Sequence, residues 1–496
     1  MAQQKGITSR AEDYSAWYLD VIARGDLVDD APVRGCKVLK PHGYAIWEAM
    51  QHDLDRRFKE TGHVNAYFPL FIPMSFLSRE AQHVEGFAKE CAVVTHHRLR
   101  STTDANGKVV VEPDPASKLE EPLIVRPTSE TIIWHMYGRW IDSWRDLPLL
   151  INQWANVVRW EMKTRPFLRT SEFLWQEGHT AHATSDEAIE ETLRMLDVYS
   201  DFARETLAIP VYKGRKSARE RFAGAVETFT IEAMMQNGWA LQAGTSHFLG
   251  QNFAKAFDVT FQSQAEVREF VWATSWGVST RLVGAAVMTH SDDDGLVLPP
   301  KVAPVQVVII PVYKKDKDKA VVMEAVDALF ANLKPHFRVK VDDRAHLRPG
   351  AKYFEWEQKG VPLRMEIGPR DVQGGAAFCK KRTGGDKFNI AFAEAVDAVG
   401  VALDAIQAEL LQRATEFRDT HTYDVGTWDE FTDKIKSQPG FYRVPWGGDD
   451  DDEDRIKTET QATLRCYPQV QESVEGLTCP LTGKPAREWA YFARAY

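Results

Sequence analysis

Long apolar runs are missing from this sequence of 496 residues. The longest, residues 302–312, is interrupted by Pro304 and Gln306, whereas a membrane-spanning helix needs about 20 apolar residues. The first residues, MAQQKGITSRAEDY, lack the apolar core of a secretory signal. Cysteine is scarce as well, and 5 residues in a chain of this length make no disulfide framework. These absences predict a soluble protein of the reducing cytoplasm.

Glycine-rich phosphate-binding motifs are also missing. Neither GxGxxG nor GxxxxGK followed by Ser or Thr occurs, so no Rossmann or P-loop nucleotide site is indicated. The net charge of −10 argues against a protein that coats nucleic acid nonspecifically. Residues 301–390 nevertheless carry 18 Lys and Arg against 11 Asp and Glu, a local +7, so this segment could meet a polyanion through Lys380, Lys381 and Arg382. A solvated charged surface is the alternative.

Length and periodicity indicate two or three domains. Before a break at residues 298–301, apolar runs predict strands at 149–161, 173–179, 239–248 and 270–280, with helices from Gly43 and at 185–208 and 214–236. This order favours an antiparallel sheet backed by helices over a doubly wound sheet. After the break, strands and helices alternate between 305 and 367 and predict an α/β unit of about 100 residues. The polar residues 98–121 contain Asn106-Gly107 and predict an exposed hairpin.

Several predicted strands carry polar and aromatic side chains on one face, because residues two apart on a strand point the same way. One strand ends in Arg159 and Glu161, and a later one pairs Thr245 with His247. Between them a third strand presents Phe173, Trp175, Glu177 and His179. Each face alone could lie at a surface, but several such strands in one domain favour the walls of a polar pocket.

These segments resemble motifs of the class II aminoacyl-tRNA synthetases, in the form shown by prolyl-tRNA synthetases of the archaeal and eukaryotic type. VRWE at 158–161 and FLWQEGH at 173–179 resemble motif 2, and WGVSTR at 276–281 resembles motif 3. RPTSET at 126–131 resembles the proline-binding loop, QAGTSH at 242–247 the next substrate strand, and the helix from Gly43 with Pro69 motif 1. VPLR at 361–364 and EIGPR at 366–370 resemble the anticodon-binding domain. The resemblance therefore covers nearly the whole chain in order.

The resemblance implies a multidomain fold of α/β and α+β character. It comprises a catalytic domain (residues 1–300) with an antiparallel sheet and helices, an α/β anticodon-binding domain (301–408) and a small α+β C-terminal domain (409–496). The implied activity is attachment of proline to tRNA(Pro) with ATP through prolyl-adenylate, by a homodimer. The implied partners are ATP, L-proline and tRNA(Pro). About 100 residues between His179 and Ser279 are assigned to the catalytic fold, which leaves no room for the inserted editing domain of bacterial-type relatives.

For ATP, the resemblance implies that Arg159 holds the α-phosphate, that Arg281 holds the far phosphates, and that both are catalytic through charge stabilisation. Phe173 would stack on adenine. The full implied set for ATP is Arg159, Glu161, Arg169, Thr170, Phe173, Gln242, Thr245, Ser279 and Arg281, with Mg²⁺ accompanying ATP near Gln242. For Arg169, a solvated loop cation is the alternative.

For proline, the secondary ammonium needs an anion and a hydroxyl, and Glu130 with Thr128 offers both. Trp175 would form the apolar wall for the ring. The full implied set for proline is Thr128, Glu130, Arg159, Trp175, Glu177, His179 and His247. No general base is needed, because the substrate carboxylate is already a nucleophile.

Zinc is not expected, although many relatives hold it through four cysteines in the C-terminal domain. Gly447, Asp452 and Thr482 stand where three of those cysteines would be, and only Cys479 is retained. One thiolate cannot make a tetrahedral site. Apolar packing of Trp446, Leu464, Leu477 and Trp489 is expected in its place. The resemblance also implies that Tyr496 turns back toward the active site.

Two other functions fit parts of the pattern. One is a catalytically inactive paralogue that binds tRNA or a protein partner, against which the retained Arg159, Glu161, Phe173 and Arg281 argue, since a binding module needs no ATP clamp. The other is a synthetase for another small amino acid, against which the loop from Thr128 to Glu130 argues.

Overall fold

The structure is a computed structural model that describes residues 6–78, 90–314 and 316–496. Its helices are α1 (Tyr14–Arg24), α2 (Pro41–Glu60), α3 (Met74–Ser78), α4 (Glu130–Trp140), α5 (Ser185–Glu205), α6 (Asn252–Ala256), α7 (Arg281–His290), α8 (Asp316–Leu333), α9 (Pro349–Gln358), α10 (Pro369–Gly374), α11 (Ala395–Thr420), α12 (Trp428–Ser437) and α13 (Asp450–Thr460). Within the described ranges, no helix is long and apolar enough to cross a membrane.

The strands alternate with these helices along the chain. They are β1 (Val28–Asp30), β2 (Lys37–Leu39), β3 (Val64–Asn65), β4 (Phe71–Pro73), β5 (Ala92–His96), β6 (Leu99–Thr103), β7 (Val109–Pro113), β8 (Lys118–Val125), β9 (Leu149–Val158), β10 (Glu172–His182), β11 (Val211–Arg215), β12 (Glu227–Met234), β13 (Ala240–Gly250), β14 (Thr260–Gln262), β15 (Arg268–Phe270), β16 (Trp272–Ser279), β17 (Val307–Pro311), β18 (Val339–Val341), β19 (Leu363–Ile367), β20 (Ala376–Lys381), β21 (Phe388–Ala391), β22 (Thr422–Asp424), β23 (Phe441–Trp446), β24 (Ala462–Pro468) and β25 (Glu488–Arg494).

The largest sheet is antiparallel through its centre, in the order β11-β12-β13-β16-β10-β9, which confirms the predicted fold class. Helix α5 covers one face, and it begins where Thr184 and Glu187 cap each other's backbone N–H groups. On β13, the Ser246 hydroxyl donates to the Thr192 carbonyl of α5 over 2.7 Å. Because neighbouring strand residues alternate, Thr245 and His247 face away from α5. The opposite face of the sheet is therefore free to form a site.

The helix predicted at 214–236 is wrong, since this segment forms β11 and β12. Gly224 has φ +90, which ends any continuous helix there. The Thr-Phe-Thr-Ile stretch from Thr228 is rich in β-branched and aromatic residues, which favour a strand paired on both sides. The hairpin predicted at 98–121 is confirmed: β6 pairs with β7, and Gly107 has φ +79 in the turn.

Residues 307–391 form a second sheet in the order β18-β17-β19-β20-β21, parallel among its first three strands and antiparallel beyond them. Its core is built from strand residues and from the long helices α8 and α11, with Val307, Leu363 and Ile406 completely buried. Parallel strands joined by helices confirm the predicted α/β unit.

The last strands do not form a separate sheet. The order β22-β23-β25-β24 continues into β11, so the C-terminal strands extend the central sheet to eleven strands. Gly214 permits this junction, because a Cβ there would lie 2.2 Å from the Tyr467 carbonyl oxygen. The C-terminal region is thus joined to the central sheet through backbone pairing.

Candidate active site

Two adjoining cavities open on the free face of the central sheet, with volumes of about 250 and 240 Å³. Both are lined by Arg159, Phe173, Ser279 and Arg281. All of the sequence-predicted site residues line one or both. The larger cavity adds Thr128, Glu130, Trp175, Glu177, His179, Gln242, Thr245 and His247, and the smaller adds Glu161, Arg169 and Thr170. The structure therefore brings together residues from five separate segments of the chain.

Arg159 stands where the two cavities meet. The strand β9 ends at Val158, so Arg159 and Glu161 follow the strand rather than ending it. The Arg159 Nε–H donates to the Pro127 carbonyl over 3.0 Å, and its guanidinium lies 5.5 Å from the ring centroids of both Phe173 and Trp175. Desolvation lowers the pKa of this guanidinium, while the Glu130 carboxylate opposes that shift. A guanidinium remains charged under such a shift, so the site holds a fixed cation at its centre.

Arg281 supplies a second cation, at the first position of α7. Its side chain donates to the carbonyl oxygens of Leu168 and Gln242 over 3.3 and 3.4 Å. Desolvation, together with the neighbouring cations Arg169 and Arg159, lowers the pKa of Arg281 to about 10. Cations gathered this closely repel one another, and a polyanion between them relieves the repulsion.

The loop between β9 and β10 contributes the pair Glu161 and Arg169, whose Oε2 and Nη1 atoms are 3.4 Å apart. The Arg169 side chain is 57% exposed. Arg169 is therefore a solvated loop cation that also lines the smaller cavity, and its contact with ATP stays a prediction. Thr170 is buried and donates its hydroxyl to the Glu172 carbonyl over 2.7 Å.

A buried hydrogen-bond network fixes the Glu177 carboxylate. The Gln153 amide donates to Oε1 over 2.7 Å, and the Ser129 hydroxyl donates to the same oxygen. The other carboxylate oxygen lies 3.1 Å from His179 Nε2, and the Tyr137 hydroxyl donates to the His179 carbonyl. These hydrogen bonds hold the buried carboxylate in one orientation.

Glu130 lies where the loop predicted to bind proline ends. It is the first residue of α4, and the Thr128 hydroxyl donates to its carboxylate. Across the cavity, His247 Nδ1 lies 2.9 Å from the Thr228 hydroxyl, and the His247 ring lies 4.6 Å from the Phe222 ring. Burial lowers the pKa of His247 to about 4, so the imidazole is neutral at pH 7.

Sequence reasoning missed several lining residues. Gln153 lies directly opposite Glu177 in the β9–β10 register, and a polar pair Asn152-Gln153 inside an apolar strand was the available signal. No comparable signal marked Thr228 or Phe222. Among the described residues, the buried Ser275 Oγ and His179 Nδ1 atoms have no hydrogen-bond partner although both residues line the larger cavity. Unsatisfied buried atoms of this kind are where a ligand contributes most.

One glycine lets the central sheet pack on the face opposite the cavities. Gly178 lies opposite Trp276 in the β10–β16 register, and a Cβ at Gly178 would lie 2.1 Å from the Trp276 ring. Only glycine allows this ring to lie against the strand. The indole lies on the α5 side of the sheet, with its ring centroid 6.2 Å from that of Tyr199, whereas Glu177 and His179 point to the other side.

Other contacts stabilise the region in which many relatives hold zinc. Among the described residues, no group of three or more His, Cys, Asp or Glu could hold a metal ion. The Lys484 ammonium donates to Asp449 and Asp452 over 2.6 Å each, so a cation on a side chain joins the two segments. The prediction of apolar packing fits Trp446 and Leu464, which are buried. It is wrong for Leu477, which is 39% exposed, and for Trp489, which lies outside the buried core, against Arg443.

Comparison with known families and proteins agrees with this arrangement. Residues 111–290 match the tRNA synthetase class II core domain (G, H, P, S and T), residues 306–401 an anticodon binding domain, and residues 428–496 the C-terminal domain of prolyl-tRNA synthetase. The chain is 57% identical over 493 residues to a protein of Porphyromonas gingivalis named "Proline--tRNA ligase", covering 99% of both chains. Proteins of the same name from Flavobacterium johnsoniae and Bacteroides fragilis are each 56% identical, covering 99% of this chain and 100% and 99% of theirs.

Proposed function

The chain belongs to the class II prolyl-tRNA synthetases, and we propose how its two cavities divide the reaction between them. It is an enzyme that attaches proline to tRNA(Pro) with ATP through prolyl-adenylate. The alternative of an inactive paralogue finds no support among the relatives. The observation that carries the proposal is the junction of the cavities at Arg159, where an amino acid in one cavity meets a nucleotide spanning both.

We assign to ATP the arginine-rich half of the two joined cavities, which contains Arg159, Arg169 and Arg281. We call it the ATP half, and the remainder, around Glu130, the proline half. Arg159 would hold the α-phosphate and Arg281 the far phosphates, with Phe173 beneath adenine; the remaining contacts would come from Glu161, Arg169, Thr170, Gln242, Thr245 and Ser279. Charge grows on the phosphate oxygens in the transition state, and fixed buried cations stabilise it without reorganisation. The crowding of Arg159, Arg169 and Arg281, which lowers the pKa of Arg281, supports this assignment.

We assign the Glu130 side of the larger cavity to proline. Glu130 with Thr128 would bind the ammonium, Trp175 would face the ring, and Glu177, His179 and His247 would close the pocket. The neutral His247 adds no positive charge that would repel the ammonium. The proline carboxylate attacks the α-phosphorus, the bond to pyrophosphate breaks, and the product is prolyl-adenylate. No proton needs to move, so positioning can supply up to about 7 to 11 kcal/mol of the acceleration.

Mg²⁺ accompanying ATP fits the oxygen donors of the ATP half. The side chains of Gln242 and Glu161 offer oxygen atoms, whereas the described part of the chain has no group of three or more His, Cys, Asp or Glu that could hold a metal ion. Such a sparse set suits an ion that takes most of its ligands from phosphates and water. When bound, Mg²⁺ would neutralise phosphate charge, while Arg159 and Arg281 orient the reacting groups.

We propose domain limits of 1–300, 301–408 and 409–496 and assign tRNA recognition to the middle domain. One face of its sheet carries Lys380 beside Arg364, whose guanidinium lies 4.2 Å from the Tyr353 ring, and Lys387 lies 4.8 Å from the Phe378 ring. Cations interleaved with aromatic rings suit phosphates and unstacked bases of single-stranded RNA. Arg382 does not belong to this surface, because it is buried against Asp292.

We also propose a homodimer. One face of the β6–β7 hairpin exposes Leu99, Val109 and Val111 by 68%, 69% and 68%. Apolar side chains grouped this way are typical of a surface that a partner covers. A second copy of the chain is the partner that the family implies.

The architecture supports the archaeal and eukaryotic type, although the relatives named above are from bacteria. Between β10 and β16, residues 183–271 form α5, α6 and strands β11 to β15, with no further domain.

A cytoplasmic location is supported by five free cysteines. Absence of zinc remains our proposal, and elemental analysis of the purified protein should find far less than one zinc atom per chain; stoichiometric zinc would overturn it.

Exchange of pyrophosphate into ATP, measured with each amino acid in turn, tests the proposed division. Proline should give the fastest exchange, with cysteine and alanine as the main errors because a pocket rejects a smaller ligand by only about 1 to 3 kcal/mol per missing methylene. A stronger response to another amino acid would overturn the assignment of the proline half. Absence of exchange with every amino acid would overturn the assignment of both halves.

A further inference from the structure

A buried ion cluster lies beside the proposed ATP half and is not part of it. Glu232 on β12 is completely buried, and its carboxylate accepts from the Lys216 ammonium over 2.8 Å. The Arg465 guanidinium donates to the other carboxylate oxygen through Nε and Nη2, over 3.0 and 2.9 Å. The Thr230 hydroxyl adds a fourth donor at 3.0 Å. Every oxygen of Glu232 is therefore satisfied by charged or polar donors.

The cluster joins two domains. Lys216 and Glu232 belong to the catalytic sheet, whereas Arg465 lies on β24, in the C-terminal domain that pairs with β11. Arg465 is 6% exposed. Its side chain reaches Glu232 across the β11–β24 junction, where Gly214 lets the two strands lie close together. The C-terminal domain thus places a charged side chain inside the catalytic domain.

The cluster is also adjacent to the nucleotide contacts. Glu232 lies directly opposite Gln242 in the β12–β13 register, so their side chains share the face on which the cavities open. The Gln242 carbonyl accepts from Arg281 Nη1 over 3.4 Å. A short chain of contacts therefore runs from Arg465 through Glu232 and Gln242 to Arg281.

The cluster is within electrostatic reach of Arg281. Burial alone would raise the pKa of Glu232, but Arg465 and Lys216 hold it below its usual value, so the carboxylate is ionised. Glu232 raises the pKa of Arg281 and Arg465 lowers it, so both groups act on that guanidinium. A charged group in a desolvated site acts more strongly on its neighbours than the same group at the surface does.

We propose that Arg465 is a positioning residue for ATP, contributed by the C-terminal domain: it holds the Glu232 carboxylate beside Gln242 and thereby fixes the strand pair whose Gln242 carbonyl accepts from Arg281. This rests on the assignment of ATP to the arginine-rich half. The residues that we assign to proline, on the Glu130 side, include no member of the cluster, so Arg465 is expected to act on one substrate only.

The test measures proline-dependent exchange in the full-length protein with Arg465→Met and Arg465→Lys. Arg465→Met removes the charge and both donors to Oε2 of Glu232, but Oε1 stays paired with Lys216 and Thr230, so the buried carboxylate keeps one charged partner. The matched control is Arg215→Met. It breaks another contact across the same junction, because Arg215 Nη2 binds both Glu488 oxygens over 2.8 and 2.9 Å at the half-exposed surface.

We expect Arg465→Met to raise the KM for ATP about tenfold with the KM for proline changed less than about twofold, and Arg465→Lys to restore most of the loss. Arg215→Met should leave both constants unchanged. If Arg465→Met does not fold, Arg465→Lys must still raise the KM for ATP selectively, by about threefold. Equal effects on both substrates, equal effects of the control, or no effect on ATP would overturn the inference. Absence of exchange in the unaltered protein would instead overturn the proposed function on which it rests.

Discussion

Arg382 and Asp292 join the anticodon-binding and catalytic domains through two parallel hydrogen bonds, from Nη1 to Oδ2 over 2.7 Å and from Nη2 to Oδ1 over 2.5 Å. The Arg382 side chain is 4% exposed, and its Nε–H donates to the Glu357 carbonyl. Arg382 was predicted to contact tRNA with its neighbours Lys380 and Lys381. The prediction is wrong for Arg382, because a guanidinium closed off by an aspartate cannot reach a phosphate.

Replacing Arg382 with Met should lower the free energy of unfolding by about 1 to 3 kcal/mol, since the bidentate pair is lost and Asp292 keeps a partly buried charge. Urea denaturation measures the change. Lys387→Met is the control, because the Lys387 side chain is 40% exposed and Glu366 keeps Arg364 as a partner, and it should change stability by less than about 0.5 kcal/mol. Equal losses in the two variants would contradict a special role for Arg382.

Neutralising Lys380 and Lys381 together should weaken tRNA charging while leaving amino-acid-dependent exchange unchanged. Each lysine that meets a phosphate releases counterions, so the slope of log affinity against log salt should become flatter by about one to two. Charging and exchange assays on the double Ala variant, repeated at several salt concentrations, measure both effects. A parallel loss of exchange would show that these lysines act on the catalytic domain instead.

Arg159→Ala should abolish adenylate formation without unfolding the protein. The side chain donates to the Pro127 carbonyl and lies against the rings of Phe173 and Trp175, at the position that we propose for the meeting of both substrates. A contact that strengthens as charge develops on the phosphate affects the rate more than the fold. Exchange that survives within about tenfold, or roughly 1.4 kcal/mol, would show that the α-phosphate lies elsewhere.

The pKa of the Glu453 carboxyl predicts that the stability of the protein depends on pH. Burial, with the nearby Asp450 and Glu220 adding to it and the Ser217 hydroxyl opposing it, raises the pKa of this carboxyl from 4.5 to about 7. Between these values the folded protein binds more protons than the unfolded chain, so the free energy of unfolding falls as pH rises through this range and stays low above it.

The comparison of Glu453→Gln with the unaltered protein checks this. The amide still accepts from Ser217 but does not ionise, so the variant should melt higher than the unaltered protein at pH 8 and at nearly the same temperature at pH 4.5. Glu459→Gln on the same helix, where Glu459 pairs with Arg455 at the surface, is the control and should show no such divergence. A pH-independent difference would mean that Glu453 does not titrate in this range.

Tyr496 should affect activity more than stability. Its hydroxyl accepts from Asn237 over 2.8 Å, and its ring lies 5.5 Å from the Arg165 guanidinium. Arg165 in turn exchanges backbone hydrogen bonds with Arg169, so the ring supports the loop that lines the smaller cavity. Tyr496→Ala should therefore slow exchange about tenfold with little change in melting temperature, whereas Tyr496→Phe should retain most activity. A fully active Tyr496→Ala variant would show that the loop lining the smaller cavity does not depend on the Tyr496 ring.

Much of the candidate site was predictable, because its residues recur at every second position of strands or belong to short motifs. Phe173, Trp175, Glu177 and His179 recur at every second position, and the structure places all four on one cavity wall. Thr228 was not predictable, because its role depends on which strand lies opposite. Register is a tertiary property, and no local pattern near Thr228 specifies its partner His247.

The fold was predictable to a similar depth. The α/β unit followed from alternating strands and helices, whereas the segment 214–236 was misread because its strand propensity competes with a helical spacing of apolar residues. The burial of Arg382 could not be foreseen either. Its partner Asp292 is 90 positions away, and charge runs such as Lys380-Lys381-Arg382 look equally solvated in sequence.

The continuation of the catalytic sheet into the last strands constrains how the chain is made. Strand β11 leaves the ribosome early, but its partner β24 follows about 250 residues later, counted from the pair Arg215 and Tyr467. At about 5 to 20 residues per second, synthesis of that stretch takes on the order of 10 to 50 s. During this time the β11 edge has unpaired N–H and C=O groups that can template aggregation. Slow or stalled translation downstream of residue 215 should therefore lower the soluble yield more than stalling upstream of it.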